Sequence, residues 1–175
     1  VFCETHTFGN DGEYLVTISV TNPADETGQG TVTVIVTNVP PVLTVESPVE
    51  GFEGTPVTLV SSATDVGDDE LRYRWDFDDD GQWDTDFSLD GSVEYTYANE
   101  YDGQAVVEVD DGTDRVTAGV DVVIANVPPQ IVSDPPTVAF TEQRYEYRVV
   151  VQDPGAEVFT WRFDEAPDGM TVDEF

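Results

Sequence analysis

The sequence predicts an all-β protein built from tandem β-sandwiches, each about 88 residues long. Two observations predict this fold. Apolar residues alternate with polar ones at a period of two along most of the chain, and one four-residue motif recurs. No segment shows the 3.6-residue apolar period of an amphipathic helix. The 175 residues therefore correspond to nearly two copies of one β unit.

The period of two predicts strands throughout the chain, separated by turn signals such as Asp80-Gly81 and Asp111-Gly112. The predicted strands include Tyr14 to Val20, Thr31 to Thr37, Val57 to Ser61, Leu71 to Phe77, Val93 to Tyr97, Ala105 to Val109, Val116 to Ile124 and Tyr145 to Val151. About seven short strands in a unit of this length are typical of an immunoglobulin-like β-sandwich.

The recurring motif is Asn-Val-Pro-Pro, which occurs at residues 38–41 and again 88 residues later at 126–129. The same offset pairs Asp65 with Asp153, Gly67 with Gly155, Arg74 with Arg162 and Asp76 with Asp164. Several matches at one offset indicate a duplicated unit. We therefore expect the back half of one sandwich at 1–38, a complete sandwich at 39–127 and the front half of another at 128–175.

Two interpretations of the partial units remain open. The chain is either a stretch of a longer tandem array or a subunit whose C-terminal part completes the N-terminal part of the next copy by strand complementation. In both cases the expected partners are neighbouring copies or repeats of the same protein. The Asn-Val-Pro-Pro linkers favour stiff spacing, because proline restricts both its own backbone and that of the preceding residue.

The chain carries 37 Asp and Glu residues against six Arg and no Lys, which gives a formal net charge of -31. This balance excludes nucleic acid as a partner, because phosphate binding requires a cationic face. No run approaches the ~18 apolar residues of a spanning helix, so no membrane insertion is expected. Such crowded charge requires screening, either by bound divalent cations or by a salty solvent.

The sequence offers little for catalysis, and we expect no enzyme. It has one His, His6, and one Cys, Cys3, and it lacks a Gly-x-Ser-x-Gly motif, a Cys-x-x-Cys motif and a glycine-rich phosphate loop. A nucleophile and base pair therefore cannot readily be assembled. Carboxylates are so abundant that an acid and base pair chosen from them carries no information.

The strongest candidate for a metal site is the acidic turn from Asp76 to Asp84. Carboxylates at alternate positions around a glycine suit Ca2+, which takes six to eight oxygen ligands. The candidate ligands are Asp76, Asp78, Asp80 and Asp84. The spacing partly matches an EF-hand loop, but Phe87 stands where that loop has its bidentate Glu. The alternative is a solvated turn in which Asp side chains bond to the backbone.

The segment Arg74-Trp75-Asp76-Phe77-Asp78-Asp79-Asp80-Gly81, followed by residues 93–97 and 103–109, resembles the PKD domain family. The resemblance covers 42–127 as a whole unit and 1–38 as the back half of another. Ala105 departs from it, because the family usually has an aromatic residue there, and the Asp-rich turn is longer than usual. The resemblance implies an extracellular module that spaces, stiffens or adheres, and it implies no catalysis.

Residues 130–175 resemble the front half of a cadherin-like or Ig-like bacterial repeat, through Tyr145-Glu146-Tyr147, Asp153-Pro154-Gly155 and the segment 166–173. In cadherin-like repeats an acidic loop near the module junction binds Ca2+ and stiffens the array. The resemblance therefore implies junctional ligands in the loop after the strand 57–61 and in its counterpart, which carries Glu157 as well. The ligands that the resemblance implies are Asp65 and Asp153, and Asp68 and Asp69 are further candidates from the acidic cluster around Asp65. The alternative is again a solvated acidic loop in which Asp side chains cap turns.

The aromatic residues divide into core and candidate binding positions. Trp75 is expected in the core, packed by Leu59, Tyr97, Val107 and Val109. Trp83 lies in the acidic turn and Tyr101 follows the next predicted strand, so both are candidate contacts for a polysaccharide or protein ligand.

These features predict one of two functions. The first is a structural module of an extracellular or cell-surface protein that forms a stiff, Ca2+-stabilised rod or fibre. The alternative is a polysaccharide-binding or protein-binding accessory module of a secreted hydrolase.

Overall fold

A computed structural model describes residues 3–67 and 69–172, and within them it contains strands and turns but no helix. The predicted all-β class is therefore confirmed. The strands are β1 Gly12–Thr21, β2 Thr27–Val36, β3 Val42–Val45, β4 Val49–Phe52, β5 Pro56–Thr64, β6 Arg72–Asp76, β7 Ser92–Thr96, β8 Tyr101–Asp110, β9 Arg115–Ala125, β10 Gln130–Ile131 and β11 Val151–Gln152. In this part of the chain, no helix has the length and apolarity that crossing a bilayer requires.

Strands β3 to β9 form an immunoglobulin-like sandwich of two sheets. One sheet has the order β3-β5-β7 and is antiparallel. The other has the order β4-β9-β8-β6, in which only the pairing of β4 with β9 is parallel. The two four-residue strands β3 and β4 were not predicted, because neither is long enough to display a clear period.

The core lies between these two sheets. Alternate residues of β8 and β9 point inward, so that Ala105, Val107 and Val109 are fully buried beside Val120 and Val122. The opposite sheet contributes the fully buried Leu59. Trp75 is 2% exposed, and the predicted packing of Trp75 with Leu59, Tyr97, Val107 and Val109 is confirmed. Full burial of each of the valine and leucine side chains stabilises the fold by about 1.5 to 3 kcal/mol.

The N-terminal strands β1 and β2 form a separate antiparallel hairpin. Its register repeats that of the β8 and β9 hairpin: Val16 faces Val32 as Ala105 faces Val120. The offset is 89 residues on the first strand and 88 on the second. One face of this hairpin is apolar and is here called the hairpin face. It consists of Val16, Ile18, Val20, Val32 and Val34.

The prediction of a strand from Tyr145 to Val151 is wrong over most of its length, because only Val151 of this segment lies in a strand. The pairing of β10 with β11 ends two residues after it begins, although the Val132 N–H still donates to the Val150 carbonyl at 2.9 Å. Continuing that register would bring Pro135 and Pro136 opposite Tyr147 and Glu146. Proline has no N–H to donate, which interrupts a ladder at this point.

Candidate metal sites

The acidic turn begins where β6 ends and folds back over the end of that strand. The Trp75 carbonyl accepts hydrogen bonds from the N–H groups of Asp84 at 2.8 Å and Thr85 at 3.2 Å. The Thr85 hydroxyl in turn accepts from the Trp75 N–H at 2.8 Å. These bonds carry Asp84 back to the start of the turn, beside Asp76.

The structure brings three of the four predicted ligands of this turn together. One carboxylate oxygen each of Asp76, Asp78 and Asp84 lies within 4.8 Å of the other two. Asp80 is not in this group. Its two oxygens accept hydrogen bonds from the backbone N–H of Gln82 at 2.7 Å and from the Gln82 side-chain amide at 3.0 Å.

Backbone N–H groups already compensate much of the charge in this turn. Asp76 is 3% exposed, and its carboxylate accepts hydrogen bonds from Gly81 at 2.9 Å and Asp80 at 3.3 Å. The Asp84 carboxylate accepts from the Phe77 N–H at 2.7 Å. Partial burial, followed by the charges of Asp80, Asp84 and Asp76, raises the pKa of Asp78. The turn can thus close by its own hydrogen bonds, and Asp78 holds the charge that a cation would neutralise.

The loop after β5 lies against the N-terminal segment. Asp65 accepts a hydrogen bond from the Gly67 N–H at 2.8 Å. A Cβ atom on Gly67 would come within 2.7 Å of the Asn10 amide oxygen, so the absence of a side chain allows this close approach. Asp69 also lies against Gly67. Asp68, the remaining predicted ligand of this loop, falls outside the described residues.

The loop after β11 makes the equivalent contact with the sandwich. Gly155 donates to Asp153 at 2.8 Å, as Gly67 does to Asp65. The Ala156 N–H donates to the Asn99 side chain at 2.9 Å, and Asn99 follows Asn10 by 89 residues. The two acidic loops that the sequence pairs therefore occupy equivalent places, each against the unit that precedes it.

The second of these contacts gathers more carboxylates than the sequence indicates. One oxygen each of Glu53, Glu100 and Glu157 lies within 4.8 Å of the other two. A hydrogen bond with Asp153, then partial burial, then the charges of Asp153 and Glu53 raise the pKa of Glu157. Sequence reasoning missed Glu53 and Glu100. The available signal was the match of Asn99-Glu100 with Asn10-Asp11 at an offset of 89.

The two candidate binding aromatics are each partly covered. The guanidinium carbon of Arg74 lies 4.3 Å from the centre of the Trp83 ring, and Arg74 also pairs with Glu108 at 2.7 Å. Tyr101 stacks on Tyr97 with ring centres 5.0 Å apart, and its hydroxyl donates to the Gln104 carbonyl at 2.8 Å. Both rings are half-buried. Their role in ligand binding remains a prediction.

The comparisons with known proteins agree with this architecture. No curated protein matches the chain. Residues 38–124 match the family model described as the PKD domain. PKD domains are non-catalytic modules that typically occur in extracellular proteins. The matched residues span strands β3 to β9 up to Ile124, and this sandwich at residues 38–124, here called the PKD domain, is therefore similar to the domains of that family.

Proposed function

We propose that this chain is a structural, non-enzymatic spacer of an extracellular or cell-surface protein. In this proposal successive β-sandwich units follow one another in a fixed orientation, and bound Ca2+ stiffens their acidic junctions. One observation carries the proposal, namely the close packing of the loop after β11 on the end of the PKD domain. A side chain on Gly54, whose φ is +68°, would collide with Pro154, so the two segments touch at the level of the backbone.

Hydrogen bonds on both sides of the linker support this contact. The Val127 N–H donates to Glu53 at 2.7 Å, which ties the Asn-Val-Pro-Pro motif to the turn after β4. The Ala156 N–H donates to Asn99 at 2.9 Å. Pro128 and Pro129 lie between these two anchored points and restrict the backbone there. A linker held at both ends transmits orientation from one unit to the next.

The preceding linker is anchored in a different way. Asn38 donates to the carboxylates of Asp111 and Asp114, at 2.9 Å each, in the turn between β8 and β9. The first Asn-Val-Pro-Pro motif is therefore attached to the end of the PKD domain opposite the Glu53 turn. Attachments at both ends are what a spacer requires.

Ca2+ is part of the proposal because carboxylates gather at three places among the described residues. We propose Asp76, Asp78 and Asp84 as one group of ligands, with Asp65 and Asp69 at one junction and Asp153 at the other. Carboxylate oxygens are the ligands that Ca2+ prefers. Charge neutralisation at these places would reduce the self-repulsion of a chain with a net charge of -31.

Growth into a fibre is a further part of the proposal, and the hairpin face supports it. Ile18 is 62% exposed and Val20 is 71% exposed, although their counterparts Val107 and Val109 are fully buried. We propose that residues 128–175 of a neighbouring copy cover this face, as strands β3, β5 and β7 cover β8 and β9. In a tandem array, the front half of the same repeat would cover this surface.

A ligand-binding accessory module is the second candidate function. It depends on Trp83 and Tyr101, and the stacking of Arg74 on Trp83 leaves less of that ring for a sugar. Changing Trp83 to Ala separates the two functions. A binding module loses its retention on insoluble polysaccharide with the fold intact, whereas a spacer shows no such retention before or after the change.

Electron paramagnetic resonance distance measurement tests the spacer proposal directly. Spin labels are placed at Glu94→Cys and Thr160→Cys in a Cys3→Ser background, one in the PKD domain and one in the following segment. The expected result is one narrow distance distribution. Replacing Pro128 and Pro129 with Gly broadens it, because glycine frees the backbone.

Replacing Pro135 and Pro136 with Gly is the matched control, since this pair lies within the following segment rather than in the linker. A distribution that is already broad in the parent protein, with and without Ca2+, would contradict the spacer function.

A further inference from the structure

Three glutamates meet where the PKD domain contacts the segment that follows it. Glu53 lies in the turn after β4, Glu100 directly precedes β8, and Glu157 lies in the loop after β11. Their nearest carboxylate oxygens are all within 4.8 Å of one another. The oxygens around a single Ca2+, bound at 2.3 to 2.6 Å, lie at most about 5 Å apart. The separation of the three carboxylates is therefore compatible with one shared Ca2+.

Glu53 provides a second and independent indication of a ligand. Its side chain is 1% exposed, and only one of its two oxygens is used: Oε1 accepts from the Val127 N–H at 2.7 Å. Oε2 is buried and finds no hydrogen-bond partner among the described residues. A buried, unpartnered carboxylate oxygen is costly, by about 1 to 3 kcal/mol or more for a charged group. A cation beside Glu53 would remove that cost.

Positive side chains do not supply this compensation. The ion pairs formed among the described residues involve the carboxylates of Glu108, Asp110, Glu146 and Asp164. Asp153 lies next to Glu157, and its Oδ1 accepts a hydrogen bond from the Gly155 N–H at 2.8 Å. The junction thus concentrates negative charge and buries part of it.

Asn126 lies beside two of these carboxylates. One atom of its terminal amide lies 2.8 Å from Glu53 Oε1 and 2.9 Å from Glu157 Oε1. With the amide nitrogen in that position, Asn126 donates a hydrogen bond to each carboxylate. A rotation of the amide by 180° places its oxygen there, and the side chain then becomes a neutral oxygen ligand.

We infer that Glu53, Glu100 and Glu157, together with Asp153 and Asn126, bind one divalent cation of the Ca2+ class at this junction. Glu53, Glu100 and Asn126 come from the PKD domain and its linker, whereas Asp153 and Glu157 come from the following segment. The cation would therefore join two units across the linker. This inference deepens the proposed spacer function. The role of the cation in stiffening the junction rests on that function, whereas the existence of the site rests on its own residues.

Calorimetric titration of the full chain with CaCl2 tests the site. The protein is first freed of metal with EGTA and then titrated in about 1 M NaCl, where the Debye length of about 3 Å suppresses diffuse cation binding. The expected result is binding with a dissociation constant of about 10⁻³ M or tighter, the range of extracellular Ca2+ modules.

Variants locate the site. Glu100→Gln and Glu157→Gln, both at exposed residues, should each weaken this binding at least tenfold. Glu94→Gln on β7 is the matched control and should leave the binding unchanged. Wild-type binding by Glu100→Gln and Glu157→Gln would overturn the inference, and so would the absence of Ca2+ uptake by the parent protein at about 10 mM.

The spacer function and the cation site fail in different ways. Suppose that the spin-label distance distribution is broad in the presence of Ca2+, while Glu157→Gln still loses Ca2+ binding. That result contradicts the spacer function and supports the cation site. A narrow distribution without any Ca2+ binding supports the spacer and overturns the site. Hydrogen exchange at the Ala156 amide adds a local readout, because cation binding at this junction should slow it in the parent protein and not in Glu157→Gln.

Discussion

The two β-hairpins of this protein share one register and differ in burial. Val107 and Val120 on β8 and β9 are fully buried, whereas their counterparts Ile18 and Val32 on β1 and β2 are 62% and 51% exposed. Backbone pairing is the same in both, so it does not require a core. What differs is the presence of an opposing sheet, which β3, β5 and β7 provide for the second hairpin.

The comparison shows that local pattern and tertiary stabilisation are separable. An alternating sequence with a suitable turn specifies the register of a hairpin by itself. The free energy from apolar burial arises only where a second layer excludes water. Among the described strands, β1 and β2 pair only with each other, and they lack that contribution.

The largest expected effect comes from truncating equivalent residues in the two hairpins. Val107→Ala should reduce the free energy of unfolding of the PKD domain by about 2 to 3 kcal/mol, because it removes fully buried carbon atoms and leaves a cavity. In the dilute monomer, where no neighbouring copy covers the hairpin face, Ile18→Ala should change it by less than about 0.5 kcal/mol. Urea unfolding followed by Trp fluorescence measures both. Equal losses would mean that the hairpin face is buried in solution, as expected if a second copy covers it.

A second comparison concerns two ion pairs, one within the sandwich and one in the following segment. Arg74→Met should cost about 2 kcal/mol, because Glu108 is only 8% exposed and would lose its closer partner at 2.7 Å, keeping only Arg115 at 3.9 Å. Arg148→Met removes an exposed pair with Glu146 and should cost less than about 0.5 kcal/mol. Thermal melting in low and high salt measures the difference. A large salt-sensitive loss for Arg148→Met would reverse this ranking.

The smallest expected effect concerns the turns of the two hairpins, where Asp111 occupies the place of Asn22. Both side chains accept backbone N–H bonds within their turns. Burial alone would raise the pKa of Asp111. Hydrogen bonds from the Asp114 N–H, the Asn38 amide and the Thr113 N–H outweigh burial and lower it. Because the folded-state pKa of Asp111 is lowered, the unfolded state binds more protons than the folded state. The stability that these hydrogen bonds provide is therefore present above the ordinary pKa of 3.8. It is lost as the pH falls through the lower pKa of the folded state.

Asn38→Ala tests this account of the turn. It should reduce stability at pH 7 by about 1 kcal/mol, and the difference from the parent protein should shrink below about pH 4, as Asp111 takes up its proton. Urea unfolding at pH 7 and pH 3 measures it. Asp111→Asn is the control. An amide does not take up a proton in this pH range, so the stability of this variant should no longer depend on the protonation of residue 111. A loss for Asn38→Ala that is equal at both pH values would contradict the account.

Most of the strands could be predicted from the sequence, because their alternation is a local property. The exceptions have local causes of their own. Strands β3 and β4 are too short to show a period, and β11 does not extend back to Tyr145 because a continued ladder would meet Pro135 and Pro136.

The candidate sites were less predictable. The turn spacing identified Asp76, Asp78 and Asp84, which do come together, but it could not show that Asp80 turns to Gln82 instead. Glu53 and Glu100 are 47 residues apart in the chain. They become neighbours because β4 pairs in parallel with β9 and β8 begins beside the end of β9. No local pattern contains that information.

By itself, the sequence determined the all-β class, the core position of Trp75, the register-forming alternation of both hairpins and the acidic character of every junction loop. These properties depend on each residue and its near neighbours along the chain. Only the tertiary structure decided which apolar face is buried and which carboxylates share one place. Burial and charge crowding depend on distances between segments, and those distances exist only once the sheets have packed.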